Sequence, residues 1–292
     1  MTANGLNGTL GRRKRTEVVF KVLMIASTAL VIGSLLLIIG AIVWKSLPAL
    51  KLSMITQTPR GGFYLGKEGG ILNAIVGSLE LGLGATALAF LLSLPLALYL
   101  NVYKGRASKT AVWTRFFLDV LWGVPSIVYG AFGFLVMVFL GLRASLLAGT
   151  MTVALLEFPI MSRAIDEVMQ LVPRDLREAS DSLGATRFET AARVVVRQCL
   201  PGTLTAVLMA FGRGVGDAAS VLFTAGFTDR VPASLLDPAA TLPLAIFYQL
   251  GSPLPEVQQR AYASAAVLTL IILALSAAAR MTTRRYRKHV VR

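Results

Sequence analysis

Charged residues are scarce in this 292-residue chain: they make up 15% of the sequence, against 55% for apolar residues. So few charges cannot cover the surface of a water-soluble protein of this length. The apolar residues also lie in long uncharged runs. The run 22–44 contains no ionisable group and exceeds the roughly 20 residues that a helix needs to cross hydrocarbon. The composition therefore predicts an integral membrane protein.

Cysteine and histidine are almost absent, since the chain holds only Cys199 and His289. One of each excludes a disulfide framework, a Cys/His zinc site and a Cys-His catalytic pair. His289 lies in a basic tail, away from any Ser-His-Asp arrangement. The sequence also lacks the G-x-x-x-x-G-K-[ST] loop that binds nucleotide phosphates. We therefore predict that the chain has no catalytic residues and binds no metal or cofactor itself.

Six apolar stretches are long enough to cross a membrane as helices. They are 18–44, 71–100, 116–140, 145–165, 200–227 and 261–279. The predicted fold class is an all-α membrane protein with six transmembrane helices. Its membrane domain covers 18–280 and lies between basic tails at 1–17 and 281–292.

The basic residues are unevenly distributed between the two sides of these helices. The connections on one side contain 21 Lys and Arg residues, and those on the other side contain 7. Because Lys and Arg concentrate in cytoplasmic connections, both termini are predicted to be cytoplasmic. The placement of the basic residues thus relates the net charge of +14 to orientation in a membrane, and not to binding of nucleic acid.

Two connections are unusually long. The connection 166–199 is polar and helix-prone, and it is predicted to be cytoplasmic. The connection 228–260 is predicted to be extracytoplasmic and contains an apolar stretch at 242–250. That stretch is too short to span a membrane, so it predicts an interfacial or re-entrant helix.

The cytoplasmic connection has an informative local pattern. Glu178 and Ala179 lie on a predicted short helix, and Gly184 follows it, where a left-handed C-cap conformation favours glycine. Leu183 and Phe188 place apolar side chains around this break. A short helix with exposed apolar side chains suits a groove on a partner protein. The same pattern also fits a loop that packs on its own membrane domain.

Three consecutive residues, Glu178, Ala179 and Ser180, precede Gly184 and a later leucine followed by Pro201. This pattern resembles the EAA loop of ATP-binding cassette (ABC) importer permeases. In that family the loop forms a coupling helix that rests in a cleft of a separate ATP-binding subunit. The resemblance implies that the partner subunit uses ATP and Mg²⁺. The implied ATPase-coupling residues are Glu178, Ala179, Ser180, Leu183, Gly184 and Pro201.

Four further segments are similar to one branch of this family, the PstA-type phosphate permeases. They are 69–77, 123–130, 172–179 and 211–217. The resemblance implies a type I ABC importer permease fold in the cytoplasmic (inner) membrane of a prokaryote. It also implies partners, namely a second, PstC-like permease, two copies of an ATP-binding subunit and an extracytoplasmic phosphate-binding protein.

Two arginines are candidates for guiding the anion, because a guanidinium inside a membrane is costly and usually marks a functional site. Arg213 falls near the middle of the fifth predicted helix, and Asp217, four residues on, is predicted to pair with it on the same face. Arg163 lies at the cytoplasmic end of the fourth helix. Arginines at the matching positions of phosphate permeases are implicated in transport. Glu80 of the second predicted helix completes the candidate substrate pathway.

Each candidate also has a purely structural interpretation. The pair made by Arg213 could pin helices together, and Glu80 could face a neighbouring helix instead of the pathway. Arg163 has carboxylates three and four residues further on, so it could form an ordinary pair at the helix end. Arg115 and Asp119, at helical spacing near the cytoplasmic boundary, are predicted to form a structural pair.

Two rival functions are compatible with the residues. The first is an ABC permease for another oxyanion, such as molybdate, tungstate or phosphonate. The second is a proton-coupled secondary transporter that uses Glu80, Glu157 and Asp217 as a relay. The coupling-loop pattern favours an ABC permease over the secondary transporter.

Overall fold

The computed structural model describes residues 3–60, 69–104 and 108–286, with side chains described for 13–60, 69–104 and 108–281. His289 and the end of the predicted C-terminal tail lie outside the described residues. The described part of the chain is built from helices. They are α1 (Ala3–Ser46), α2 (Leu52–Thr56), α3 (Leu72–Leu98), α4 (Lys109–Trp122), α5 (Ser126–Phe139), α6 (Leu146–Gln170), α7 (Arg174–Ser182), α8 (Arg187–Glu189), α9 (Val196–Gly216), α10 (Leu242–Leu250) and α11 (Pro255–Tyr286).

Five helical stretches are long and apolar enough to cross a membrane. They are Arg13–Ser46, Leu72–Tyr103, Leu146–Gln170, Arg187–Gly216 and Pro255–Met281. The π-helical turn Tyr99–Tyr103 extends α3, and the π-helical segment Thr190–Val195 joins α8 to α9. The predicted all-α fold is confirmed, and a sixth crossing is reached when α4 and α5 count as one broken span.

The third predicted helix, 116–140, is not continuous. α4 ends at Trp122 and α5 begins at Ser126, and the two helices are bent by 97° relative to each other. Pro125 causes the break, because proline has no backbone N–H to donate and disfavours helical conformation at the preceding residue. The prediction of one continuous helix over 116–140 was wrong, since the apolar composition continues across this break and does not mark it.

The fifth predicted helix, 200–227, is displaced in the structure. The helix begins upstream at Arg187, continues through the π-helical segment and α9, and ends at Gly216. From Asp217 onward the backbone is irregular, and the Asp217 carboxylate accepts a hydrogen bond from the backbone N–H three residues on (2.7 Å). Pro201 lies inside this continuous helix.

The irregular segment 217–241 is packed among the helices. The carbonyl of Thr224 accepts a hydrogen bond from the N–H of Ser145 (2.9 Å), and the carbonyl of Ala225 accepts one from the N–H of Ala239 (2.8 Å). Backbone polar groups within a membrane need partners from the protein when they are not in a helix. These bonds allow irregular backbone to follow α9 inside the bundle.

The centre of the bundle is formed by α3, α6 and α9, whose small residues let the backbones approach closely. Ala85 of α3 is fully buried, and Gly82 of α3 lies against Phe211 and Val215 of α9. No larger side chain fits at Gly82 without displacing its neighbours. This close contact positions the turn of α9 that carries Arg213.

The short helix predicted at 242–250 is confirmed as α10, with the same bounds. Leu242 and Leu244 are fully buried, and the Leu242 N–H donates a hydrogen bond to the Ser78 hydroxyl of α3 (2.7 Å). α10 therefore packs inside the protein against α3 and α11. Its interfacial or re-entrant position in the membrane stays a prediction.

Candidate translocation and coupling sites

A tight turn after α7 carries the motif that was predicted to be cytoplasmic. Gly184 has a φ of +75°, the left-handed conformation in which glycine is favoured. The Gly184 N–H donates to the carbonyl of Asp181 (3.0 Å), and the Ala185 N–H donates to that of Ser180 (3.2 Å). These bonds satisfy carbonyls that the end of a helix leaves without partners. The glycine C-cap predicted for this helix is confirmed.

This turn presents apolar side chains to the outside of the chain. Leu183 is 89% exposed and Phe188 is 72% exposed, and Glu178 and Ala179 are exposed beside them. Exposed apolar side chains on a short helix are typical of a surface that a partner protein covers. We call Glu178, Ala179, Leu183 and Phe188 the coupling surface.

Ser180 and Pro201, which were also predicted to belong to the coupling loop, are buried. The Ser180 hydroxyl lies 2.8 Å from the hydroxyl of Thr190, which ties α7 to the segment Thr190–Val195. Pro201 lies within α9. Neither residue is exposed enough to form the contact surface for a partner, so their contribution is internal packing.

Two arginines fasten the coupling surface to the membrane helices. Arg177 of α7 donates from Nη1 to the carbonyl of Asn101 (2.8 Å) and from Nη2 to the carbonyl of Met169 (3.1 Å). Arg187 of α8 donates to the carbonyl of Tyr103 (3.2 Å). Carbonyls at helix ends lack partners within the helix and attract cations. α7 and α8 are thereby attached to the ends of α3 and α6.

Arg213 and Asp217 line the same recess at the end of α9. The recess has a volume of about 410 Å³. Arg213 is exposed, and no carboxylate of the described residues forms an ion pair with it. A recess of this size that contains an available guanidinium can admit a small anion. The other lining residues are Trp122, Ile160, Met209, Gly212 and Gly216.

The predicted ion pair between Arg213 and Asp217 is not formed. The prediction placed both residues one turn apart on a single helix, but α9 ends at Gly216 and Asp217 has extended backbone (φ −88°, ψ 123°). The Asp217 carboxylate instead accepts a hydrogen bond from the Ser220 N–H (2.7 Å). The two charges therefore face one recess without neutralising each other by direct contact.

Glu80 and Arg163, the other two predicted pathway residues, do not line this recess. Glu80 is exposed on α3, away from the packed centre of the bundle. Glu157, which the proton-relay alternative also requires, is fully buried, and its Oε2 accepts a hydrogen bond from the Thr86 hydroxyl (2.9 Å). The acids of that alternative therefore lie in different environments, with only Asp217 at the recess.

Arg163 is surrounded by three carboxylates. Its Nε donates to Asp119 of α4 (2.6 Å), its Nη1 donates to Asp166 (2.9 Å), and its Nη2 lies 3.4 Å from Glu167. The alternative interpretation, in which Arg163 pairs with carboxylates at its own helix end, is confirmed for these contacts. A guanidinium occupied in this way is not available to a passing anion in this conformation.

Asp166 is the centre of this cluster, and its side chain is fully buried. Arg115 binds both of its carboxylate oxygens, so the predicted pair between Arg115 and Asp119 is wrong. A buried carboxylate requires a cation and several donors, whereas the half-exposed Asp119 is partly solvated. The side chains that donate to Asp166 are those of Asn101 (2.7 Å), Arg115 (2.8 and 2.9 Å), Arg163 (2.9 Å) and Gln170 (2.7 Å).

The sequence patterns used above do not mark Asn101, Trp122 or the central role of Asp166. Asn101 and Asp166 are polar residues at the ends of long apolar helices, and such residues usually have a partner on a neighbouring helix. That signal would have marked both residues as candidates. Trp122 directly precedes the segment 123–130, but no spacing rule predicts that it lines a recess with Arg213.

The family model described as "Binding-protein-dependent transport system inner membrane component" matches residues 89–288. The chain belongs to this family. Its several apolar membrane-spanning helices and this membership make it a multi-pass inner-membrane protein. The matched range includes the coupling surface, the Asp166 cluster and Arg213, whereas Glu80 lies before it.

Two curated relatives are similar to this chain over most of their length. The "Phosphate transport system permease protein PstA" of Haemophilus influenzae is 35% identical over 240 residues, which cover 82% of this chain and 83% of that protein. The protein of the same name from Yersinia pestis is 34% identical over 270 residues, which cover 92% and 90%. The resemblance to PstA-type permeases is thereby confirmed.

Solved structures confirm the predicted permease fold. An inward-facing structure of the MetNI methionine ABC transporter aligns with a TM-score of 0.61 at 18% identity, covering 74% of this chain and 95% of that chain. A structure of an amino acid ABC transporter aligns with a TM-score of 0.56 at 20% identity, covering 74% and 93%. At these identities the likeness concerns the fold alone.

Proposed function

We propose that this chain is the membrane-spanning permease subunit of an ATP-driven importer of inorganic phosphate. The observation that carries the proposal is the similarity to phosphate transport permeases over more than four-fifths of both chains. The recess at the end of α9, with an exposed arginine in it, supplies the chemistry that this function needs.

Arg213 is the residue that we propose to contact phosphate. Its guanidinium offers two parallel N–H donors, which match the spacing of two phosphate oxygens. The guanidinium is exposed at the recess, so phosphate does not have to displace a bound carboxylate before it can bind.

Asp217 is proposed to limit how long the anion stays. Its carboxylate is held by the Ser220 N–H and faces the same recess as Arg213. A negative charge near a bound phosphate weakens the binding through repulsion. Translocation requires binding that is weak enough to allow release, and an acid beside the arginine has this effect.

We propose that a separate ATP-binding subunit, present in two copies, supplies the energy by docking on the coupling surface. A second, PstC-like permease would complete the pathway, and an extracytoplasmic phosphate-binding protein would deliver the anion. Membership in the binding-protein-dependent family supports such partners in general. The exposure of Leu183 and Phe188 supports a protein contact at the turn after α7, with the turn facing the cytoplasm.

Phosphate uptake by an Arg213→Gln variant tests the proposal. Uptake of radiolabelled phosphate is measured in cells that lack other phosphate importers and that express the partner subunits at equal levels. Loss of a charge-assisted contact is expected to lower uptake by roughly tenfold or more. Arg213→Lys is expected to give an intermediate value, because lysine keeps the charge but not the forked donors.

Arg197→Gln is the matched control, since Arg197 is an exposed arginine on the same helix that does not line the recess. Parental uptake in Arg213→Gln would contradict the role of Arg213. Competition is measured with the parent. Phosphate as the substrate would be contradicted if unlabelled phosphate did not reduce the uptake of radiolabelled phosphate but molybdate, tungstate or phosphonate did. Uptake that survives loss of the ATP-binding subunit would contradict the ATP-driven mechanism.

A further inference from the structure

A continuous series of polar contacts connects the coupling helix α7 with α4, a helix that borders the recess. The series begins at Arg177 of α7, which binds the carbonyls of Asn101 and Met169. These carbonyls belong to the π-helical end of α3 and to the last turn of α6. Any displacement of α7 therefore acts first on the ends of two central helices.

The second step runs through the side chain of Asn101. Its Nδ2 donates to Oδ1 of Asp166 (2.7 Å) and also to the carbonyl of Ala97 (2.9 Å). Both Asn101 and Asp166 are buried. Hydrogen bonds of a buried carboxylate are costly to break, so α3 and α6 are expected to move together at this point.

The third step reaches α4 by two ion pairs. Arg115 of α4 binds both oxygens of Asp166, and Arg163 of α6 donates to Asp119 of α4 (2.6 Å). Asp119 lies in the last turn of α4, three residues before Trp122, and Trp122 lines the recess that contains Arg213. α4 then ends at the 97° bend.

We propose that Asn101, Asp166, Arg163 and Asp119 are positioning residues that transmit movement of α7 to the Trp122 side of the recess. This inference rests on the proposed function, since it concerns how ATP use changes the anion pathway. It assigns Arg163 a role different from direct contact with the ion. Arg163 acts through Asp119, and its effect on transport arises from the position of α4.

The contact between Arg163 and Asp119 is the link best suited to a test. Asp119 is 51% exposed, so its replacement is compatible with folding. Glu167 is 62% exposed and contacts the same guanidinium at 3.4 Å, but it lies on α6 with Arg163. Asp119→Asn and Glu167→Gln therefore each remove one carboxylate from Arg163, and only the first removes an attachment between helices.

The experiment uses the permease purified with its partner subunits and reconstituted into lipid vesicles. The ATP hydrolysed per phosphate transported is measured for the parent and both variants. Asp119→Asn is expected to raise this ratio by about fivefold or more, as loss of a coupling contact allows. Glu167→Gln is expected to leave the ratio unchanged. Asp119→Glu, which retains a carboxylate, is expected to restore most of the coupling.

An Asp119→Asn ratio equal to the parental value would overturn the inference, as would an equal increase in both variants. A failure of Asp119→Glu to restore coupling would also count against it, because the proposed link needs only a carboxylate. Absence of ATP-dependent phosphate transport in the parental complex would contradict the proposed function itself. The two failures are therefore distinguishable in one set of measurements.

Discussion

Gly214 of α9 lies directly against the carboxylate of Glu157 on α6. Glu157 is fully buried, and its other carboxylate oxygen accepts a hydrogen bond from the Thr86 hydroxyl of α3 (2.9 Å). A single carboxylate thus lies where the three central helices meet. Because Gly214 follows Arg213 in the chain, this contact also positions the arginine at the recess.

Gly214→Ala is expected to destabilise the protein. The added methyl group would overlap the Glu157 carboxylate and come within 2.9 Å of Val153. Overpacking of this kind typically costs about 1–3 kcal/mol. The measurement is the fraction of detergent-solubilised protein that stays folded after heating. Gly212→Ala, where a methyl group would meet no atom within 4 Å, is the control and should melt like the parent. Equal melting of both variants would contradict the close contact.

Gly184→Val is expected to reduce phosphate uptake several-fold while membrane insertion is retained. The φ of +75° at Gly184 costs a residue with a side chain about 1–2 kcal/mol, and the turn must change shape to relieve this strain. Uptake and ATP hydrolysis by the assembled complex are the measurements. Both should fall together if the coupling surface no longer fits its partner.

Gly141→Val provides the matched control for that substitution. Gly141 has a φ of +68°, and an added side chain there would also meet open space. The backbone strain is therefore similar, but the residue lies between α5 and α6. Uptake in Gly141→Val should stay near the parental value. A similar loss in both variants would show that strain alone, and not the coupling surface, lowers transport.

Leu183→Asp is expected to weaken binding of the ATP-binding subunit. A carboxylate placed at a side chain that is 89% exposed should not disturb folding, but it would be desolvated when a partner covers it. Co-purification of the ATP-binding subunit measures the effect. Leu236→Asp, at a leucine that is 61% exposed in the segment 217–241, should leave co-purification intact. Retention of the subunit by Leu183→Asp would exclude the coupling surface as the dominant contact.

Thiol labelling tests the predicted orientation. Ser182 and Ser234 are both exposed and are predicted to lie on opposite sides of the membrane. A membrane-impermeant maleimide should label Ser234→Cys in intact cells and Ser182→Cys only after permeabilisation. The native Cys199 is 1% exposed and should contribute little background. Labelling of Ser182→Cys in intact cells would show that the orientation is inverted.

Features governed by local chemistry could be predicted from the sequence. The bounds of α10 and the glycine C-cap at Gly184 follow from short apolar and capping patterns, and the structure confirms both. The end of α9 could not be predicted in this way. Hydropathy stays high beyond Gly216, and only the packing of the following segment shows that the helix has ended. Pro125 was visible, but proline is tolerated in many membrane helices.

Contacts between distant parts of the chain could not be predicted from the sequence. Helical spacing predicts partners within one helix, and it correctly placed Asp166 and Glu167 near Arg163. It cannot show that Asn101 bonds to Asp166, 65 residues away. Nor can it choose between partners, which is why Asp119 was assigned to the wrong arginine. Separation of Arg163 from the recess likewise depends on tertiary packing.

The uninterrupted helix Arg187–Gly216 contains 30 residues, so it is about 45 Å long at 1.5 Å per residue. The hydrocarbon layer is only about 30 Å thick, and membrane helices are tilted by at most about 40°. Even at that tilt, part of the helix must extend beyond the lipid tails. A water-soluble protein can therefore contact an end of this helix without entering the bilayer. A rigid displacement of the helix would then move Arg213 as well.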